Sequence, residues 1–280
     1  MMKYVLLFLL AITLNSKALG KDLSLANIFN DGIVLQREKP INVWGHASPD
    51  QSVTLKFGDE TKTTKSNSKG QWSLKIGPLI ASSEPKTMTI ISGNSELSIT
   101  DILVGEVWVC GGQSNMAWTM RGSTNADIEI SAANFPQIRF LKLPNLASPT
   151  EMDDFPPGKP TDWVGKWQRA VAPEVQNCSA VAYYFARRLH RQLNVPVGII
   201  ENSWGGTMAQ HWCSKKTLKQ IPEMAEDIKK FDEKYQEWID GGKEEGAKKR
   251  LAKDTADWEK KSAEAKSKGE AEIFRTDASL

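Results

Sequence analysis

The sequence predicts an α/β domain, preceded by a small all-β sandwich and followed by a charged helical segment. Three observations carry that expectation. Residues 21–104 hold short runs rich in β-branched and aromatic residues, parted by turn clusters. Residues 105–213 alternate apolar, strand-like runs that end in glycines with one stretch of helical periodicity. In residues 214–280 about half the side chains are charged, with both signs interleaved.

The predicted strands of the first segment are Ile41–Trp44, Val53–Phe57, Trp72–Ile76, Thr87–Ile91 and Leu97–Ile102. Turn clusters such as Ser48-Pro49-Asp50, Gly58-Asp59 and Ser66-Asn67-Ser68-Lys69-Gly70 separate them, at the spacing of an antiparallel sandwich. In the second segment Gly105–Cys110, Ile138–Leu143 and Val195–Ile200 read as strands, and Ala180–Leu193 reads as a helix. Pro144–Pro173 is polar and proline-rich, which predicts a surface loop lining a cleft. In the third, Ile221, Ile228, Tyr235 and Trp238 recur near helical spacing. They predict one or two solvated helices interrupted at Gly241-Gly242, with no chemistry of their own.

Composition narrows the function classes. The 280 residues carry 36 Lys plus Arg against 34 Asp plus Glu, a net charge of +2, so the electrostatic footprint of a nucleic-acid binder is missing. Residues 1–20 have the form of an export signal: Lys3, an apolar stretch Tyr4–Leu14, and small residues Ala18 and Gly20 before Lys21. Its removal takes Lys3 and Lys17 and leaves 34 charges of each sign. No later apolar run reaches the roughly 20 residues a membrane helix needs, so a secreted or periplasmic protein without a membrane span is expected. Cys110, Cys178 and Cys213 allow at most one disulfide.

Chemistry concentrates in two blocks. Gly111-Gly112-Gln113-Ser114-Asn115-Met116 follows a predicted strand. A Ser in a tight turn at a strand end presents its hydroxyl and its own amide to one place. The same residues also suit an ordinary strand-to-helix turn with Ser114 as N-cap. The second block, Trp204-Gly205-Gly206-Thr207, ends the run Val195–Ser203; glycine amides are unshielded oxyanion donors, though a loop needing positive φ reads the same way.

Taken together, Gly105–Met116 and Trp204–Thr207 resemble the sialate O-acetylesterases, a family of SGNH-type carbohydrate esterases. Cys178–Phe185, Ile33–Arg37 and Val43-Trp44-Gly45 extend the resemblance over about residues 23–213. It implies a flavodoxin-like, three-layer α/β domain, an acetylated carbohydrate as substrate, and no metal or other cofactor. It implies Ser114 as nucleophile, with the Ser114 amide and Gly205 or Gly206 (Gly206 preferred) as oxyanion donors. Gln113, Asn115, Trp204 and Thr207 are implied as substrate contacts. The family's third oxyanion donor and its His-Asp base belong to blocks not found in these residues and are expected beyond Leu280, with 214–280 as an insertion. This chain alone is then expected to lack the complete machinery. Deacetylation of xylan or a related polysaccharide is the nearest alternative, and a non-catalytic secreted sugar-binding protein is the alternative of another class.

The other motifs are weaker. Of the three histidines, His46 is expected in a surface loop and His190 on a solvated helix face. His211 alone lies near a motif, as a surrogate base. Trp118, Trp163, Trp167 and Trp212 suit either stacking on a sugar ring or core packing. Asp153-Asp154 and Glu244-Glu245 read as loop and solvated-helix acids, and no zinc-ligand or phosphate-loop spacing occurs. Oligomeric state is not legible.

Overall fold

The computed structural model describes residues 23–146, 148, 152–156 and 163–243, with 245, 246, 249, 253, 256 and 260 beyond. The export signal expected over 1–20, and most of the helix expected after Gly242, lie outside the described residues. The chain divides into two compact units, one ending at Gly205 and one beginning at Gly206.

The first unit holds β1 (Ser24–Leu25), β2 (Val34–Gln36), β3 (Ile41–His46), β4 (Ser52–Phe57), β5 (Glu60–Lys65), β6 (Gln71–Ile76), β7 (Ser82–Ser92) and β8 (Ser95–Gly112). These are followed by helices α1 (Ser114–Ala117) and α2 (Ala126–Ser131), strands β9 (Asn134–Lys142) and β10 (Trp167–Val171), helix α3 (Ala180–Leu193) and strand β11 (Val197–Ser203). β1, β3 and β6 form a three-stranded antiparallel sheet. The remaining strands run as one sheet in the order β10-β9-β11-β8-β7-β4-β5, with β2 beside β8. The expected small all-β domain is therefore seen in part, as the three-stranded sheet. Its other strands continue into the α/β sheet through β8.

β8 does two jobs. Its first half, Ser95–Val104, pairs antiparallel with β7; its second half, Glu106–Gly112, pairs parallel with β11. Alternate residues of the parallel strands, Ile138 and Phe140 on β9 and Val197 and Ile199 on β11, are buried with Ala182, Tyr183 and Ala186 of α3. That is the apolar face which the helical periodicity of Ala180–Leu193 predicts, and burying each of its larger side chains stabilises by about 1.5–3 kcal/mol. Ser179 caps α3, its Oγ accepting from the Ala182 amide at 3.2 Å. A second core fills the β-rich part with Val43, Val53, Leu55, Met88, Ile90 and Ile102.

Four strands escape the sequence-based expectation, the short β1 and β2 as well as β5 and β10. β5, Glu-Thr-Lys-Thr-Thr-Lys, has no apolar side chain and is held by its antiparallel partner β4. β10 lies inside the stretch expected to be loop, with Trp167 and Ala170 buried. His46, expected in a loop, is the last residue of β3.

Asp101 sits in an irregular part of the β7–β8 pairing, ahead of the change of partner along β8. Its φ is +56°, and the β7–β8 register shifts around it. Its carboxylate receives both Arg139 guanidinium nitrogens, at 2.7 and 3.0 Å, and Arg139 is 4% exposed. Those hydrogen bonds hold the Asp101 carboxyl below the usual aspartate value of 3.8.

The second unit holds α4 (Lys215–Leu218) and α5 (Pro222–Asp240). Pro222 opens α5, where its missing N–H costs nothing, and Asp232 on α5 pairs with Lys215 and Lys219. No residue of α5 is buried, as expected of a solvated helix ending at Gly241. Among the described residues no helix is long and apolar enough to cross a membrane.

Asp101→Asn isolates the charge, because Asn also tolerates positive φ. The variant is expected to lose about 2 kcal/mol near neutral pH. A depressed folded pKa gives stability that is present above the unfolded value and lost as pH falls through the folded one. The gap between parent and variant in urea unfolding should therefore narrow only below about the usual aspartate value of 3.8.

Candidate active site

At the end of β8 the chain turns at Gly112, whose φ is +148°; a Cβ there would stand 3.3 Å from Met116 Cβ. The turn delivers Ser114 as the first residue of α1. Ser114 is not the cap: Gln113 is, its Oε1 accepting from the Ser114 amide at 2.9 Å. The expected alternative, a turn merely capped by Ser114, is corrected on that point. The Ser114 side chain is exposed, and its hydroxyl makes no hydrogen bond among the described residues.

β11 brings the second block alongside. Its register against β8 pairs Glu201 with Cys110, Asn202 with Gly111 and Ser203 with Gly112. Parallel strands in that register end together, and the Trp204 amide adds a further bond to the Gly112 carbonyl at 2.9 Å. The next residue, Gly205, has its Cβ direction 3.8 Å from Ser114 Oγ and 4.0 Å from Ser114 Cα. Its amide has no acceptor among the described residues. Gln113, Ser114, Trp204 and Gly205 are thus brought to one place. Asn115 is exposed on α1, next to Ser114. Gly206 opens the second unit with φ +82° and open space at its Cβ position, and Thr207 Oγ1 accepts from Trp212 Nε1 at 2.9 Å within that unit.

Sequence reasoning missed the residue that ties this arrangement together. Glu201 is fully buried. Its Oε1 accepts from Lys142 Nζ at 2.6 Å and Ser203 Oγ at 2.8 Å, and its Oε2 accepts from the Ser179 amide at 3.1 Å. One carboxylate therefore joins β9, the end of β11 and the start of α3. The start of α3 in turn holds the segment after Ser114: the Ala180 amide donates to Trp118 O at 2.8 Å, and Met120 donates to Cys178 O at 2.9 Å. The signal for Glu201 is the two-residue alternation Val197, Ile199, Glu201, Ser203, all four of which point inward.

Glu201 also acts on two thiols. Burial, reinforced by the Glu201 charge, pushes Cys178 well above the ordinary thiol range and raises Cys110 as well. All three cysteines are free, and Cys213 alone is exposed. His190 Nδ1 lies 2.7 Å from the Val195 carbonyl, and within the second unit His211 Nδ1 accepts from the Met208 amide at 3.1 Å. Of the four tryptophans weighed for stacking, Trp167 is core, its Nε1 donating to Ile28 O at 3.0 Å, while Trp118 is exposed. Among the described residues no cluster of His, Cys, Asp and Glu is arranged to hold a metal ion.

No protein-family profile matches the chain. It is 31% identical over 227 residues to the sialate O-acetylesterase of Mus musculus, covering 75% of this chain and 41% of that protein. Against the sialate O-acetylesterase of Homo sapiens it is 31% identical over 219 residues, covering 72% and 41%. The crystal structure of a carbohydrate acetylesterase from Xanthomonas citri superposes with a TM-score of 0.65 at 31% identity, covering 70% of this chain and 43% of that one. The chain thus spans about two fifths of the length of the relatives it matches.

Two outcomes follow from the buried tie. Thiol titration of the native protein should modify Cys213 and spare Cys110 and Cys178, with all three reacting in denaturant. Glu201→Ala strands the Lys142 ammonium, 17% exposed, and should lower stability by about 3 kcal/mol, read as a shift of the urea midpoint.

Proposed function

We propose that this chain, which belongs to the sialate O-acetylesterase family, carries the nucleophile and two oxyanion donors of an esterase that removes O-acetyl groups from carbohydrate. The observation that carries the reading is the placement of the Gly205 backbone beside an exposed, unbonded Ser114 hydroxyl.

The chemistry follows from that placement. Ser114 Oγ attacks the acetyl carbonyl and gives its proton to a base, and the carbonyl oxygen becomes an oxyanion. The Gly205 and Ser114 amides are the donors at hand for it, each worth about 3–4 kcal/mol in comparable sites. The Ser114 amide is not idle before substrate arrives: Gln113 Oε1 holds it. An arriving oxyanion exchanges a neutral acceptor for a charged one, which is the stronger bond. Trp204 and Asn115 are read as contacts to the sugar. Collapse of the intermediate expels the sugar hydroxyl, leaves an acetyl ester on Ser114, and water then releases acetate. No hydrogen bond joins a histidine to the Ser114 hydroxyl among the described residues. The finer reading, sialic acid as the sugar, follows the names of the mouse and human relatives. Export through residues 1–20 belongs to the same proposal.

The test uses the slow deacylation expected where no base touches the nucleophile. Incubation with p-nitrophenyl acetate should leave one acetyl group on the Ser114 peptide, mapped by tandem mass spectrometry. Ser114→Ala should carry none there and unfold within about 0.5 kcal/mol of the parent. No acetyl group on Ser114, or acetate release that is unchanged in Ser114→Ala, overturns the esterase reading. Comparing acetate release from O-acetylated sialic acid with that from acetylated xylan decides the sugar.

A further inference from the structure

The three-stranded sheet carries a cleft of about 530 Å³ that the Ser114 chemistry does not use. Antiparallel pairing sets Trp44 opposite Ser73 and His46 opposite Gln71, so these four, with Asn42, share one face of β3 and β6. The other face, Val43 and Trp72 among it, belongs to the core. All five residues of the first face line the cleft, and Trp72 reaches its lining from the core side. Asp153 and Asp154 complete it from the loop after β9.

The lining presents polar side chains, with Asn42 and Asp153 exposed to solvent. The Asn42, His46 and Asp153 side chains make no hydrogen bond among the described residues, and Gln71 uses only its Oε1, to Asn67. The Trp72 Nε1–H is buried without an acceptor. Buried donors of that kind are rare in native proteins and ask for a reason. The Trp44 indole is held in place by a T-shaped contact with Phe29, ring centroids 5.0 Å apart.

We propose that this cleft is a second carbohydrate site, which takes a neutral sugar unit of a glycan and does no chemistry on it. A sugar ring has an apolar C–H face and a rim of hydroxyls that both donate and accept. Indole rings suit the first; an amide, an imidazole and a free carboxylate suit the second. The volume falls within the ordinary range for small-ligand clefts. Charge selects against the alternatives. Lys65 is the one lysine or arginine in the lining, set against Asp153 and Asp154, so a phosphate or a sugar carboxylate meets net repulsion. Too many polar groups line it for a lipid chain. The site is independent of the esterase reading. Where both hold, the second site raises the effective concentration of a glycan near Ser114.

Isothermal titration of the full chain with xylohexaose, mannohexaose and N-acetylneuraminic acid tests this. At least one neutral hexasaccharide should bind with Kd of about 1 mM or tighter, and any binding of N-acetylneuraminic acid, which belongs to the Ser114 site, should not respond to substitutions in this cleft. Asn42→Ala combined with Asp153→Ala removes two side chains without partners, so the fold stays intact while affinity falls about tenfold or more. Trp44→Ala should abolish binding, and Ser114→Ala should leave it unchanged. Neither hexasaccharide binding, binding indifferent to the Asn42/Asp153 pair, or N-acetylneuraminic acid binding that the Asn42/Asp153 pair weakens overturns the proposal. Acetylation of Ser114, measured on the same preparation, distinguishes failure of the second site from failure of the esterase reading.

Discussion

The parallel register between β8 and β11 is the constraint on which the site depends. Pairing Ser203 with Gly112 makes both strands stop at the same level, so two glycine-bearing turns open side by side. Shifting the pairing by one residue would carry Gly205 about 3.3 Å along the strand, beyond hydrogen-bond reach of an oxygen held by Ser114. The shift would also turn Glu201 and Ser203 to the opposite face. The buried carboxylate therefore reports on the register as well as reinforcing it. Its three partners, on β9, β11 and α3, are satisfied together in the alignment that sets Gly205 beside Ser114.

Rigidity reaches the site through β8. A single strand passes from the antiparallel pairing of the β-rich part into the parallel pairing that ends at Gly112, and Asp101, a left-handed residue, lies in the antiparallel part shortly before the change. The Arg139 guanidinium spans that point, bonding to Asp101 on β8 and to the Gly32 carbonyl ahead of β2. Gly105 lies just beyond, and a Cβ there would stand 1.9 Å from the Pro196 carbonyl oxygen. Only glycine lets the residues entering β11 approach β8 so closely. The turn carrying the nucleophile is thus the free end of a strand anchored along most of its length.

What is legible in the sequence follows from how each element is stabilised. Helix α3 is readable over its full span, Ala180–Leu193, because its apolar stripe and its capping Ser179 are local signals. Strand β4 shows itself by the alternation of Val53, Leu55 and Phe57. Strand β5 does not, because its residues are polar and its stability comes from the backbone ladder to β4. Strand β10 is hidden in a proline-rich context, where only Trp167 and Ala170 turn inward. In the site, Ser114 is legible from its glycines. Its nearness to Gly205 is not, since that rests on a pairing between segments about ninety residues apart. Glu201 reads as an ordinary acid after an apolar run; its burial requires Lys142, Ser203 and Ser179 in place at once.

The electrostatics around Glu201 also bear on which atom would do the proposed chemistry. A thiolate is a stronger nucleophile than a hydroxyl, and Cys110 is only four residues before Ser114 in the chain. Burial and the neighbouring carboxylate keep Cys110 and Cys178 protonated, and protonated thiols attack carbonyls poorly. The same carboxylate, through Ser179 and the backbone bonds to Trp118 and Met120, fixes the segment that follows the exposed hydroxyl. One buried charge thus helps keep both buried thiols protonated and ties down the segment that follows Ser114. This asymmetry favours a serine ester over a thioester as the covalent intermediate.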